Sequence, residues 1–209
     1  MLIVLINGSA REGGNTAALL EEAAKIAEES GCECQTIHVA SILKKVKDPF
    51  CSQCSVPCRG SCSQNNALGE SFQLLRRADG IIMASPVYFG TVSGQLKAYW
   101  DKTRILRREE ALLNVVGGAV AVGASRFGGQ EQTLRALQEM MLVQGMTVVG
   151  DGFPGAGCGH HGVGAQQPAG EERSALKGAR ILTQRVIQVA RATQELRQGR
   201  GKGADLWGN

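Results

Sequence analysis

The sequence predicts a single α/β domain built on a parallel β-sheet with helices on both faces. Apolar runs of strand length alternate about five times with segments that carry apolar residues at three- and four-residue spacing. The first run, 2–7, is apolar almost throughout, which is typical of a central parallel strand covered on both faces. With 209 residues, of which 43% are hydrophobic and 20% charged, the chain is long enough to bury a core.

The elements alternate along the chain. The predicted strands are apolar runs at 2–7, 35–39, 80–85, 114–122 and 146–149. The predicted helices are periodic segments at 15–30, 68–78, 92–106, 130–144 and 168–196. Three stretches lack either pattern: 41–66, 151–168 and 199–209. We interpret 1–198 as one domain, with 41–66 as a cysteine-rich insertion, 151–168 as a glycine-rich loop and 199–209 as a flexible tail.

Composition restricts the functional class. No apolar run approaches the roughly 20 residues that cross a bilayer, and the opening residues lack a basic leader and a cleavage site. We therefore expect a cytoplasmic protein without a membrane partner. The net charge is +4, with many basic residues in 173–202, and we interpret these as a solvated helix face and not as a nucleic-acid site. Seven cysteines in a reducing compartment favour metal or redox chemistry over disulfides.

A polar, glycine-rich loop follows the first predicted strand and opens the first helix. Ligands of open parallel sheets bind beyond the carboxyl ends of the strands. Helix N-termini there offer unpaired N–H groups and a favourable dipole to anions. Ser9, Asn15 and Thr16 add side-chain donors, and Arg11 adds a charge-assisted one. The loop predicts a phosphate site, or else an ordinary tight turn with a helix cap; it has neither the Walker nor the dinucleotide glycine spacing.

Two further loops lie at the same predicted edge of the sheet. After the third strand the residues Pro86, Val87, Tyr88, Phe89 and Gly90 form a loop with an aromatic pair. After the fourth strand another glycine-rich loop contains Ser125, Gly128 and Gly129. Aromatic side chains beside exposed backbone suit a flat, hydrogen-bonding ring. The alternatives are aromatic packing within the protein and a plain connector, but three converging loops favour a ligand crevice.

Four cysteines crowd into the insertion. Cys51, Cys54, Cys58 and Cys62 have the spacing C-x2-C-x3-C-x3-C on an irregular segment. Thiolates at this spacing can converge on one centre, either a structural zinc ion or an iron–sulfur cluster. We therefore predict a metal site here, in preference to inert buried thiols.

The first two loops carry a family resemblance. The motifs Gly8-Ser9-x-Arg11 with Asn15-Thr16, and Ser85-Pro86-Val87-Tyr88-Phe89-Gly90, are similar to the NADPH-dependent FMN reductase family of flavodoxin-like proteins, over roughly 1–149. The resemblance implies a three-layer sandwich with a five-stranded parallel sheet in the order 2-1-3-4-5. It also implies FMN, with its phosphate on the first loop and its isoalloxazine between the second and third. The flavin supplies the chemistry, so no catalytic acid or base is predicted.

The inserted cysteines resemble the iron–sulfur flavoprotein branch of that family, which carries a [4Fe-4S] cluster. That branch typically has two residues between its second and third cysteines, whereas Ser55, Val56 and Pro57 stand here, so zinc stays as an alternative. The leading hypothesis is an FMN oxidoreductase that exchanges electrons with the cluster, with NAD(P)H or ferredoxin as donor. The alternatives are a simple NAD(P)H-dependent FMN or quinone reductase with zinc, and a non-catalytic redox sensor.

The resemblance also implies a homodimer or homotetramer. We expect Tyr99 and Trp100 to lie near the cleft, on a helix that a partner subunit could cover; core packing is the alternative for Trp100.

The other cysteines have separate interpretations. Cys32 and Cys34 alternate at the second strand, and we predict that both pack on one face of the sheet. Cys158 lies near His160 and His161, but one cysteine with two adjacent histidines does not make a full metal site. We interpret this segment as loop, with a role over the flavin or near another subunit's cluster as the alternative.

Overall fold

The computed structural model describes residues 1–198, and the predicted tail at 199–209 lies outside the described residues. Its sheet contains six parallel strands, numbered here in chain order: β1 Leu2–Asn7, β2 Glu33–His38, β3 Gly80–Pro86, β4 Val116–Gly123, β5 Thr147–Val148 and β6 Val163–Gln166. The order β2-β1-β3-β4-β5 confirms the predicted topology.

The fifth position of the sheet is shared by two short strands. Val116 and Gly117 of β4 pair with β5, whereas the later residues of β4, from Val120 to Gly123, pair with β6. Because β3 occupies the opposite edge of β4 along its length, β5 and β6 must follow one another on the same side. The prediction of an unbroken loop over 151–168 was therefore wrong, since β6 lies inside it.

The helices cover both faces of the sheet. They are α1 Asn15–Glu29, α2 Val39–Lys44, α3 Ala67–Arg77, α4 Gly94–Asp101, α5 Arg104–Arg108, α6 Gln130–Leu142, α7 Arg173–Ala192 and α8 Gln194–Gln198. Three differ from prediction: α2 occupies the start of the expected insertion, the helix expected at 92–106 is two helices, and the last helix begins later and breaks near Thr193.

Successive residues of β1 enter two separate cores. Val4 and Ile6 pack with α2, α3, α4 and α6, whereas Ile3 and Leu5 pack with α1 and α7. This alternation is what a strand covered on both faces requires, and it confirms the three-layer arrangement.

The helix after β3 contributes its aromatic residues to the core. Tyr99 is completely buried, and its hydroxyl donates to Ser71 Oγ at 2.9 Å; Trp100 is 5% exposed, and its Nε1 donates to the Met140 carbonyl at 3.0 Å. The expectation that these rings lie near the cleft for a partner to cover was wrong, because both are needed to fill the core.

No helix within residues 1–198 combines the length and the apolar character that crossing a membrane requires.

Candidate flavin crevice and metal site

The loop after β1 is held by the side chain of Asn7, which is 1% exposed. Its Oδ1 accepts from the Ser9 N–H at 3.0 Å, and its Nδ2 donates to the Glu12 carbonyl at 3.1 Å. Ser9 Oγ in turn accepts from the Arg11 N–H at 3.1 Å. These bonds fold the loop back over the end of β1 and leave the Arg11 side chain in solvent.

Helix α1 begins without a side-chain cap. Its N-cap residue is Gly14, and within the described residues no side chain accepts from the first N–H groups there. Asn15 stands at the first turn, where its Oδ1 accepts from the Ala169 N–H at 2.9 Å and so ties the loop to the segment before α7. Thr16 is 3% exposed beneath it. The helix start therefore offers uncapped N–H donors to an anion.

Two buried serines join the loop after β1 to the loop after β3. Ser93 Oγ donates to the Gly8 carbonyl at 2.5 Å and accepts from the Leu96 N–H at 3.1 Å. The Ser93 N–H donates to Ser85 Oγ at 3.0 Å. Both serines are fully buried, so these bonds form a fixed connection between the loops.

The loop after β3 is a tight turn that presents aromatic side chains to solvent. The backbones of Tyr88 and Thr91 pair across it, with N–H···O distances of 2.9 and 3.2 Å. Phe89 and Gly90 between them have positive φ values of 50° and 79°. Phe89 is fully exposed and Tyr88 is 41% exposed, while Pro86 and Val87 are half-buried at the strand end. A positive φ is uncommon for a residue other than glycine and persists only where the surrounding turn stabilises it.

The loop after β4 touches the loop after β3. A Cβ placed on Gly129 would lie 3.2 Å from Gly90 Cα and 3.4 Å from Val87 Cγ1, and φ at Gly129 is 96°. The loop is closed from below by Gln130, whose Nε2 donates to the Ser125 carbonyl at 2.6 Å and whose Oε1 accepts from the Gly128 N–H at 2.9 Å. The structure thus brings all three predicted loops together at one edge of the sheet.

A cavity of about 870 Å³ lies beside this crevice. Its walls come from the loop after β4, including Arg126, Phe127 and Gly129, and from the segment around Gln166 and Pro168 that follows β6. Arg126 stacks over the exposed Phe127 ring at 5.6 Å. The residues predicted on the loops after β1 and β3 do not line this cavity.

The four clustered cysteines line one cavity of about 260 Å³. Cys51 and Cys58 are half-buried, and Cys54 and Cys62 are exposed. Burial raises the pKa of the Cys62 thiol, the neighbouring Lys102 ammonium opposes that rise, and the other three thiols add to it. All four predicted ligands therefore line the same cavity, and a metal bound there stays a prediction.

The segment that carries the thiols is fixed against α5. The Arg108 guanidinium donates to the Cys58 carbonyl at 2.9 Å, and a Cβ on Gly60 would lie 3.1 Å from Ile105 Cγ1. Asn66 Nδ2 donates to the Cys62 carbonyl at 2.9 Å, and Asn66 Oδ1 caps α3.

The thiols surround a space and do not meet at a point. Within residues 1–198, no three Cys, His, Asp or Glu side chains lie close enough to hold a single metal ion. A tetrahedral zinc requires four sulfurs at about 2.3 Å from one centre, whereas an iron–sulfur cluster is bound by thiolates at separate iron atoms. The four thiols are of the donor type that both groups use.

The remaining cysteines do not line the cavity of the four clustered cysteines. Cys32 and Cys34 pack against the same core, as predicted, and burial raises the pKa of Cys34 to about 11. Cys158 is exposed on the segment between β5 and β6, where the His160 N–H donates to Asp151 Oδ1 at 2.5 Å and the His161 carbonyl accepts from Gln138.

Sequence reasoning missed the residues that hold the loops in place: Asn7, Ser85, Ser93 and Gln130. A polar residue at the end of an apolar strand, as at Asn7 and Ser85, was the available signal. Nothing in the sequence connects Gln130 with Ser125 or Ser93 with Gly8, because these contacts depend on the packed fold.

An open crevice of three loops at the carboxyl edge of a parallel sheet defines a class: a doubly wound α/β protein whose ligand site lies at that edge. The NADPH-dependent FMN reductase family matches this chain over residues 1–161. The chain belongs to that family and is an FMN-dependent oxidoreductase.

Individual relatives refine the family placement. An iron–sulfur flavoprotein of Methanocaldococcus jannaschii is 42% identical over 194 residues, which cover 91% of this chain and 98% of the relative. An iron–sulfur flavoprotein of Methanosarcina thermophila is 35% identical over 94% of this chain and 99% of its own. Among solved structures, a WrbA-like flavodoxin of Agrobacterium tumefaciens has a TM-score of 0.63 at 23% identity, over 91% of this chain and 96% of that one. That structural likeness concerns the fold, which is flavodoxin-like.

Proposed function

We propose that this chain is an iron–sulfur flavoprotein that exchanges electrons between FMN and a [4Fe-4S] cluster held by Cys51, Cys54, Cys58 and Cys62. The observation that carries the proposal is the cavity lined by all four thiols in a protein of an FMN-binding family. The names of the two iron–sulfur flavoprotein relatives support it. A flavin exchanges one or two electrons and a cluster one, so the pair would connect two-electron donors with one-electron acceptors.

The flavin would be held by the three loops. The residues proposed for the phosphate are Ser9, Arg11, Asn15 and Thr16, and the uncapped start of α1 supports them. The residues proposed for the isoalloxazine are Pro86, Val87, Tyr88, Phe89, Gly90, Ser125, Gly128 and Gly129. The exposure of Phe89 and the contact between Gly90 and Gly129 support this second group. These side chains and backbone groups bind and orient the flavin, and none is proposed to transfer a proton.

We propose NAD(P)H or ferredoxin as the electron donor. Rapid mixing of the oxidised protein with each donor, followed by flavin absorbance, separates them. Fast bleaching by NAD(P)H alone favours a simple reductase, and bleaching by reduced ferredoxin alone favours an electron carrier.

We also propose that the protein assembles as a homodimer or homotetramer. The support is the open form of the crevice, with Phe89 and Phe127 almost fully exposed at its loops. Light scattering of the purified flavin-loaded protein measures the mass, and a monomer at micromolar concentration contradicts this.

The cofactor proposal is tested on protein purified without oxygen, with iron, sulfide, zinc and FMN measured on one sample. We expect about four iron atoms per chain, with flavin and broad cluster absorption. Stoichiometric zinc without iron replaces the proposal with the NAD(P)H-dependent reductase carrying a structural metal. A protein that cannot be loaded with FMN replaces it with the non-catalytic sensor.

A further inference from the structure

Lys102 is a largely buried lysine whose ammonium has no ion-pair or hydrogen-bond partner among the described residues. It follows the last residue of α4 and is 4% exposed. Its backbone N–H donates to the Tyr99 carbonyl, but within the described part of the chain no carboxylate or hydrogen-bond acceptor pairs with its ammonium. The side chain lines the cavity of the four cysteines.

The buried part of Lys102 is its methylene stem, since among the described residues its Nζ is not one of the fully buried polar atoms that lack a partner. Lysine normally keeps its ammonium in water while its methylene stem packs against apolar surface. An ammonium with no carboxylate partner is available to balance an anionic group bound beside it. The lysines elsewhere on the same cavity, Lys45 and Lys47, are exposed, so their side chains are less restrained in position.

The charges around the cavity indicate the sign of its occupant. Four basic side chains and one acidic one line it: Lys45, Lys47, Lys102, Arg104 and Asp48. The acidic residue is exposed, and its Oδ1 is engaged by the Phe50 N–H at 3.0 Å. The cavity is therefore suited to an occupant with a net negative charge, which is what four thiolates give to an iron–sulfur cluster.

We propose that Lys102 is the counter-charge of the metal–sulfur group bound by the four cysteines, and that its ammonium raises the reduction potential of that group. The proposal rests on the proposed function. Adding one electron to the group adds one negative charge, and a cation beside it stabilises the reduced form more than the oxidised form. Lys102 acts as a tuning residue through its charge and is not a metal ligand.

The test compares reduction potentials of the full-length protein purified without oxygen, by a titration followed by electron paramagnetic resonance. In Lys102→Met we expect the one-electron reduction constant of the cluster to fall at least tenfold, a shift of about 59 mV to more negative potential. Lys102→Arg keeps the charge and should stay within threefold of wild type. The matched control is Lys47→Met, which removes an exposed charge from the same cavity and should also stay within threefold because water screens it.

A potential in Lys102→Met within threefold of wild type overturns the proposal, and so does an equal shift in Lys47→Met. If Lys102→Met does not assemble a cluster, iron analysis of Lys102→Arg gives the second readout. Lys102→Arg keeps the charge and should bind about as much iron as wild type, and loss of iron in both variants contradicts the assignment. Metal analysis of the wild type distinguishes failure of the proposed function from failure of the role of Lys102. Zinc without iron in the wild type contradicts the proposed function, whereas a normal cluster with an unchanged reduction potential in Lys102→Met contradicts only the role of Lys102.

Discussion

Gly8, in the loop after β1, packs closely against the sheet. A Cβ there would lie 2.8 Å from the Ala84 carbonyl oxygen and 2.8 Å from Leu96 Cδ2. That oxygen also accepts from the Gly8 N–H at 2.8 Å, so moving away from the clash lengthens a hydrogen bond. Overpacking of this kind costs about 1–3 kcal/mol, and weakening the bond adds about 1 kcal/mol. We expect Gly8→Ala to lower the free energy of unfolding by about 2–4 kcal/mol.

Urea unfolding of FMN-free protein measures this loss, and Gly13→Ala is its matched control. Gly13 lies in the same loop, but a Cβ there would meet nothing within 4 Å. We expect the control to change stability by less than about 1 kcal/mol. Gly8→Ala as stable as wild type, or Gly13→Ala as unstable as Gly8→Ala, would refute the idea that close packing against β3 fixes this loop.

Three other changes test separate parts of the molecule. Cys58→Ser should abolish iron binding. Cys34→Ser should retain full iron content, because Cys34 is a packing residue whose pKa burial raises to about 11. Iron analysis of both variants measures this, and loss of iron in both would contradict the assignment. Burial opposes ionisation of Glu22, but hydrogen bonds from Arg180 and Lys25 outweigh it and lower its pKa below the ordinary 4.5. The ion pair with Arg180 therefore stabilises the fold fully at pH values above the ordinary pKa of Glu22, and this stabilisation is lost as pH falls through the lowered pKa. Glu22→Gln should be about 1 kcal/mol less stable than wild type at pH 7. Urea unfolding should show that this difference disappears in acid, and a stability difference that does not change with pH would contradict the role of the ion pair. Phe89→Ala should leave unfolding within about 0.5 kcal/mol of wild type, as exposed positions do, yet weaken FMN binding in a fluorescence titration; unchanged affinity would remove Phe89 from the site.

The sheet could be predicted from the sequence because its central strands are buried on both faces. Runs such as 2–6 and 81–84 are apolar throughout, so no polar residue within them suggests any other structure. The strand β6 could not be predicted in the same way. Its four residues alternate between buried and exposed and are preceded by glycines. They form a strand because the edge of β4 from Val120 to Gly123 is available for pairing beyond the end of β5.

The prediction of one helix over 92–106 was wrong for a related reason. Its apolar spacing continues from α4 into α5, and no proline or glycine marks the break at Lys102 and Thr103. The break is stabilised by tertiary contacts, in which Thr103 Oγ1 donates to the Trp100 carbonyl at 2.6 Å and accepts from Gln144 Nε2 at 2.7 Å. The cysteine spacing, in contrast, is local in sequence, so it could predict a shared site but not the lysine that reaches that site from another element.

Helix α4 connects the two candidate sites. Ser93 at its N-terminus donates to the Gly8 carbonyl in the loop after β1, and Lys102 at its C-terminus lines the cysteine cavity. Nine residues separate them, which is about 13 Å at 1.5 Å per residue. Among the described residues, none of those proposed for the flavin lines the cysteine cavity. A change confined to one end should therefore leave binding at the other intact: Cys58→Ser should lose iron and keep its FMN affinity, whereas Ser93→Ala should lose flavin affinity and keep its iron. If both variants lose both cofactors, the two sites are coupled through more than this helix.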